Sequence, residues 1–270
     1  MSSTPPPPPE AGSLFEVDPQ KPGIAAATLI VFGAGDSGAD PNLLFVERTA
    51  AMRFAPGAVV FPGGRVDAAD VLLGRRLSPQ LDADDAGARV AAIRETIEET
   101  GLAVAVASAR DAVREDWREA LAGGEPFASV LAREGADLDL SRLTPFARWD
   151  PRFREKRAFD TRFYVASLEG AGDMVSPDGT EAASAFWTPA ATMLSAISDG
   201  RHDAIFPTLR NLERLAQYRS HEDAVADAAA RAMTTITPWI ERDDQGEWLC
   251  IARGQGYPVT RVALGAVRRG

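Results

Sequence analysis

The segment Arg94-Glu95-Thr96-Ile97-Glu98-Glu99-Thr100-Gly101-Leu102 sets three carboxylates and a guanidinium close together. Its pattern predicts a helix from Asp84 to Thr100 that stops at Gly101, the residue type that most easily ends a helix in the left-handed region. At about 100° per residue, Glu95, Glu98 and Glu99 fall within one arc of roughly 100°, while Val90, Ile93 and Ile97 gather opposite. One face is therefore buried and the other concentrates negative charge. Like charges three and four residues apart repel by a few tenths of a kcal/mol per pair, and the helix C-terminus disfavours anions as well. A cation would compensate, and hard divalent ions take oxygen ligands and bridge carboxylates to phosphates. The plain alternative is a solvated acidic helix face.

Upstream, Phe61-Pro62-Gly63-Gly64 ends an apolar strand and Asp70 follows. Taken together, Gly64, five residues, Asp70, an intervening stretch and Arg94 to Leu102 resemble the Nudix box: Gly, five residues, Glu, seven residues, then Arg-Glu-hydrophobic-x-Glu-Glu-x-Gly-hydrophobic. Two departures stand out. Asp70 occupies the position of the family's Glu, and 23 residues separate it from Arg94 where the family has seven. The insertion, at about residues 71 to 86, is expected in a loop before the helix, since Leu77 to Asp85 carries Pro79 and several helix-starting Asp residues. The resemblance implies an α+β fold, the Nudix-type α/β/α sandwich with a mixed sheet, here with C-terminal helices. It also implies hydrolysis of a diphosphate bond with Mg²⁺ or Mn²⁺. Glu98 and Glu99 would bind the metal, with Glu95 either a ligand or the base that deprotonates water. The Gly63 carbonyl would add a ligand, and Arg94, four residues before Glu98, would orient that carboxylate. The paired Gly63 and Gly64 are expected to provide a tight turn. An Asp at position 70 is tolerable if that group only orients others and damaging if it must reach the metal.

Before the box, Leu44-Phe45-Val46-Glu47-Arg48, Arg53, Gly57 and Phe61-Pro62-Gly63-Gly64 resemble in part the coenzyme A diphosphatase signature. The insertion, Arg157-Ala158-Phe159-Asp160-Thr161-Arg162-Phe163 and Phe206-Pro207-Thr208 resemble most the acyl-CoA diphosphatases of animal peroxisomes. This likeness spans roughly residues 24 to 260 and implies a CoA-like nucleotide substrate. Arg48 and Arg53 would offer planar donor forks to its phosphates, or be plain surface charge. Arg157 and Arg162, flanking Asp160, are either an ion-pair cluster or substrate contacts. Glu181, before Phe186-Trp187-Thr188-Pro189, stands where Nudix enzymes often carry a loop acid that completes the metal site or acts as base; simple loop solvation is the alternative. Other specificities such as ADP-ribose or a dinucleotide, and a catalytically silent ligand-binding module of the same fold, remain rivals.

The elements that must hold these residues read as follows. Residues 1 to 22, with Pro5 to Pro9, are expected to form a tail that builds no core, leaving residues 23 to 270 as one domain. Ile24 to Phe32 and Leu43 to Arg48 read as a hairpin with a long loop, and Ala58 to Phe61 as a third strand. Leu102 to Ala107, Thr161 to Leu168 and Ala183 to Trp187 follow as strands, with helices at Pro189 to Ile197, Pro207 to Arg219 and His221 to Thr235. Trp149, Trp187 and Trp239 are core or rim aromatics. The chain has 270 residues, 45% hydrophobic and 25% charged, enough for a substantial core. Its formal charge of -10 argues against a non-specific nucleic-acid binder. With Cys250 alone, beside the distant His202 and His221, neither a disulfide nor a zinc site is expected. No apolar run spans a bilayer and the start lacks a secretory pattern, so a cytoplasmic location away from membranes is expected.

Overall fold

The computed structural model describes residues 23–33, 40–51, 55–107, 112–152, 158–168, 175 and 177–267. Arg53, Arg157 and the expected tail of residues 1 to 22 lie outside the described residues. The first apolar runs form β1 (Ile24–Gly33) and β2 (Asn42–Arg48), followed by two short strands, β3 (Val59–Val60) and β4 (Gly63–Arg65). Two helices come next, α1 (Ala68–Leu77) and α2 (Ala83–Thr100), then the strands β5 (Leu102–Ala103) and β6 (Ala112–Val113). Helices α3 (Glu115–Ala122) and α4 (Phe127–Glu134) lead to strands β7 (Thr144–Trp149), β8 (Phe159–Ser167) and β9 (Ala182–Pro189). Helices α5 (Ala190–Ser198), α6 (Phe206–Leu215) and α7 (His221–Ala229) precede β10 (Thr235–Ile236), β11 (Trp239–Asp243), β12 (Gly246–Cys250) and β13 (Arg261–Ala263).

The main sheet runs in the order β10-β7-β8-β1-β2-β3, with β4 also on β1 and β9 also on β2. It is mixed: β1 is parallel to β8 and antiparallel to β2 and β4. Alternation along β1 and β2 divides the core in two. Ala27, Leu29, Val31 and Leu44 face Val90, Ile93 and Ile97 of α2, with Trp117 and Leu131 of the next helices. Ile30, Phe32, Leu43 and Phe45 face Met193 of α5, Leu212 of α6 and Leu249 of β12. The result is the expected α+β sandwich with C-terminal helices. No helix among the described residues is long and apolar enough to cross a membrane.

Four local expectations are corrected. The inserted stretch is helix rather than loop: residues 71 to 77 continue α1, which lies against α2 through two glycines. A Cβ on Gly74 would stand 2.5 Å from the Ala86 carbonyl carbon, and one on Gly87 would stand 2.8 Å from Val71 Cγ2. Gly63 and Gly64 form no left-handed turn; they are strand residues of β4 opposite Thr28 and Ala27. The helix after His221 ends at Ala229, and the chain then forms β10 alongside β7. The strand after Gly101 covers only Leu102–Ala103 and belongs to a separate two-stranded ribbon.

Candidate active site

Helix α2 starts where Asp82 accepts hydrogen bonds from the Asp84 and Asp85 amides, and it stops at Gly101 with φ 73°. Between those caps, Val90, Ile93 and Ile97 are fully buried against the sheet, and Glu95 and Glu99 of the acidic arc meet β4.

Arg94 is the hub. Its Nε and Nη2 donate to the two Asp70 oxygens at 3.0 and 2.9 Å, a bidentate fork on a carboxylate that is 2% exposed. Its Nη1 donates to Glu95 Oε1 at 2.9 Å and Glu98 Oε2 at 3.0 Å, and Nη2 also reaches the Arg65 carbonyl. Asp70 Oδ2 accepts from the Asp67 amide as well, at 2.9 Å, which ties the start of α1 to the arginine. Asp70 is therefore an orienting group for Arg94. Burial alone would lower the pKa of Arg94, but the Asp70 hydrogen bond and the charges of Glu95, Asp70 and Glu98 raise it above the ordinary arginine value.

Glu99 lies on the other side of the arc, 4% exposed, and accepts from the Gly63 amide at 3.1 Å. The glycines are needed for space. A Cβ on Gly64 would fall 2.3 Å from Glu95 Cδ, and one on Gly63 would fall 2.4 Å from the Ala27 carbonyl oxygen. Gly64 is thus the floor on which the Glu95 carboxylate rests.

All three carboxyls titrate high. Burial pushes Glu95 up to about 7, opposed by Arg94 and reinforced by Glu98. Glu98 is raised by burial against the pull of Arg94. Glu99 is held well above the carboxylate range by burial and then by the charge of Glu95, with the Gly63 hydrogen bond and Arg48 opposing. The charge of Glu181, exposed at the start of β9, adds to the rise of both Glu98 and Glu99. Arg48 is in phase with Leu44 along β2, which puts it on the face that α2 covers. Glu95, Glu98, Glu99, Arg94, Gly63 and Gly64 thus meet in one place, where the charges of Glu181 and Arg48 are felt, while Arg53 is outside the described residues. Among the described residues no group of three or more His, Cys, Asp or Glu side chains is arranged to hold a metal ion as it stands; Glu95 and Glu98 are turned to Arg94.

Other singled-out residues belong elsewhere. Asp160 is bonded by Arg148, whose part the sequence reading missed, and Arg162 reaches Asp85, so these charges staple β7, β8 and α2 together. His202 stacks on Phe186, His221 packs edge-on against Phe32, and Cys250 is a buried free thiol. Trp149 is core and donates to the Tyr257 hydroxyl; Trp187 is half-buried over Gly33; Trp239 is exposed.

No family model matches the chain. The crystal structure of a NUDIX hydrolase from Alicyclobacillus acidocaldarius is similar at a TM-score of 0.69 and 32% identity, covering 77% of this chain and 97% of that one. Acyl-coenzyme A diphosphatase NUDT19 of Gallus gallus is 25% identical, over 74% of this chain and 68% of its own length. With the box residues gathered on α2 and β4, and a solved relative matched over nearly its whole length, the chain belongs to the Nudix hydrolase family and is a diphosphate-cleaving hydrolase of that family.

Proposed function

We propose that this hydrolase splits the diphosphate bridge of coenzyme A or an acyl-CoA, giving adenosine 3',5'-bisphosphate and a phosphopantetheine-type product. The observation that carries the reading is the convergence of Glu95, Glu98 and Glu99 on one side of α2, over Gly63 and Gly64 and within reach of the charges of Glu181 and Arg48. The donor set is all oxygen, crowded and acidic, which fits a hard divalent cation such as Mg²⁺ or Mn²⁺. Glu95, Glu98, Glu99 and the Gly63 carbonyl would hold it, which requires Glu95 or Glu98 to leave Arg94. When bound, such an ion offsets phosphate charge and lowers the pKa of water.

The chain's own residues do the rest. Arg94, fixed by Asp70, holds the acidic side chains of α2 in register. Glu181, exposed at the rim, takes the proton of the attacking water as the new P–O bond forms and the bridging P–O bond breaks. Arg48 offers a planar fork to substrate phosphate. Its place at the end of β2, the partial coenzyme A signature around it and the likeness to an acyl-coenzyme A diphosphatase support the CoA branch.

The test is turnover of CoA, an acyl-CoA, dephospho-CoA and ADP-ribose with Mg²⁺ and with Mn²⁺. We expect CoA species to be cleaved fastest, Glu98→Gln and Glu99→Gln to abolish most turnover with the fold intact, and EDTA to stop the reaction. A charge-assisted hydrogen bond contributes about 1.5 to 3 kcal/mol. If Arg48 grips the 3'-phosphate, CoA is therefore favoured over dephospho-CoA by roughly ten- to a hundred-fold, and Arg48→Ala erases the difference. Faster cleavage of ADP-ribose than of any CoA species overturns the branch, and full turnover in excess EDTA overturns the metal assignment.

A further inference from the structure

Glu181 sits on a loop, yet its backbone is held from two sides. Asp178 makes the first side: Oδ1 accepts from the Thr180 and Ala182 amides at 3.3 and 2.7 Å, and Oδ2 accepts from the Glu181 amide at 3.1 Å and from the Thr180 hydroxyl. Thr49, the residue after β2, makes the second. Its amide donates to the Glu181 carbonyl at 2.9 Å and its hydroxyl to the Thr180 carbonyl at 3.0 Å. Both polar backbone groups of Glu181 are therefore engaged, one by each partner. Arg118 of α3 adds a third strut through the Pro177 carbonyl.

The strand pairing changes at the same point. Glu47 opposes Ser184 but Arg48 opposes Ala182, so Ala183 is an extra residue in β9. A bulge of this kind re-aims the side chains beyond it. Ala182 is fully buried opposite Arg48 while Ala183 is exposed, and the chain leaves the sheet at Glu181 with its backbone already fixed.

We propose that Asp178 and Thr49 are positioning residues that clip Glu181 in place beside Glu98 and Glu99. The inference rests on the reading of Glu181 as the group that takes the proton of water. Neither clip residue touches substrate; each acts through the backbone of Glu181. Because Thr49 follows Arg48 directly, the clip also ties the phosphate-facing end of β2 to the loop that carries the acid.

The experiment compares Asp178→Ala, Thr49→Val, Thr49→Ser and Glu181→Gln, singly and combined, in the full chain with CoA and Mg²⁺. Loss of alignment lowers kcat on the order of tenfold or more in Asp178→Ala, with KM little changed. Thr49→Val also lowers kcat, and Thr49→Ser, which keeps the hydroxyl, restores it. In a Glu181→Gln background neither clip change lowers kcat further, because there is no carboxylate left to misplace. Amide hydrogen exchange read over residues 178 to 184 accelerates in Asp178→Ala, while exchange in α2 is unchanged. Asp178→Ala with wild-type kcat beside an impaired Glu181→Gln overturns the clip and leaves the role of Glu181 standing. A further drop of kcat in the double variant overturns it as well, since the loss is then general. Wild-type turnover by Glu181→Gln overturns the proton-accepting role itself, an outcome the exchange measurement keeps distinct from a failed clip.

Discussion

Two neighbouring glycines illustrate how one atom divides stability from activity. A methyl group on Gly63 meets backbone, the Ala27 carbonyl oxygen at 2.4 Å and Thr28 Cα at 2.7 Å, and backbone of a paired strand cannot step aside. A methyl group on Gly64 meets the far end of a side chain, the Glu95 carboxylate. We therefore expect Gly63→Ala to cost about 1 to 3 kcal/mol of unfolding free energy by overpacking. Gly64→Ala should leave stability nearly unchanged but lower kcat by about a hundred-fold, the scale of an ångström's misplacement in a reacting site. Urea titrations and steady-state kinetics of both variants check this; wild-type kcat in Gly64→Ala would show that Glu95 need not sit where it does. The glycine pair itself was legible in the sequence, as was the acidic arc. Its reason was not, because clearance between a strand and a helix is a property of packing. Thr49 escaped notice for a related reason: only the fold brings it to Thr180, 131 positions away, whereas Asp178-Gly179-Thr180 does carry the composition of a side-chain-closed turn.

Among the elements, α2 was read almost to the residue because its signals are local: Asp residues at the start, a left-handed glycine at the end, and an apolar stripe between. Helix α1 was hidden by Pro79 and the run of Asp residues after it, although Leu73, Gly74 and Leu77 are spaced along one face. Strands β11 to β13 pair only with one another, β11 and β12 across the turn Asp243-Asp244-Gln245-Gly246, and were missed because β11 is charged and exposed along most of its length and shows no apolar face. The α1–α2 contact yields a prediction of sign. Alanine normally improves a helix over glycine by about 1 kcal/mol. At Gly74, with the Ala86 carbonyl carbon 2.5 Å from the new methyl, the sign reverses. Gly74→Ala should destabilise by about 1 to 3 kcal/mol and lower kcat, since parting the helices pulls Asp70 from Arg94. Thermal melts and kcat measured together decide it; a stabilised Gly74→Ala would mean that the two helices do not press on each other.

The whole molecule carries opposed pH dependences. Glu95 has a pKa of about 7 in the folded protein, and Glu98 and Glu99 are also raised. A carboxyl raised on folding contributes stability that is fully present below its unfolded value and is lost as pH rises through the folded one. The metal-free protein should therefore lose Tm between about pH 5 and pH 8, and Glu95→Gln should flatten that slope and melt higher at pH 8. Asp227 has the opposite sign. Burial would raise it, but hydrogen bonds from Arg231, Tyr218 and Arg214 hold it far below the carboxylate range. Its contribution is lost only as pH falls through that depressed value, so the α6–α7 junction holds in mild acid. Melting curves in EDTA from pH 4 to 9 test the Glu95 slope; a Tm that is flat through neutrality and unaltered by Glu95→Gln would refute the assignment of Glu95.

Asp70 belongs at once to the first turn of α1, through the Asp67 amide, and to the grip on Arg94. Fraying of a helix end and misalignment of the acidic cluster are therefore a single event. Helix ends open at far lower cost than a sheet core, so we expect warming to free the Asp70 carboxylate, and with it the arginine, before β1 and β8 part. We expect heat to silence the enzyme through the first turn of α1 while most of the molecule is still folded, so that turnover is lost below the melting of the sheet.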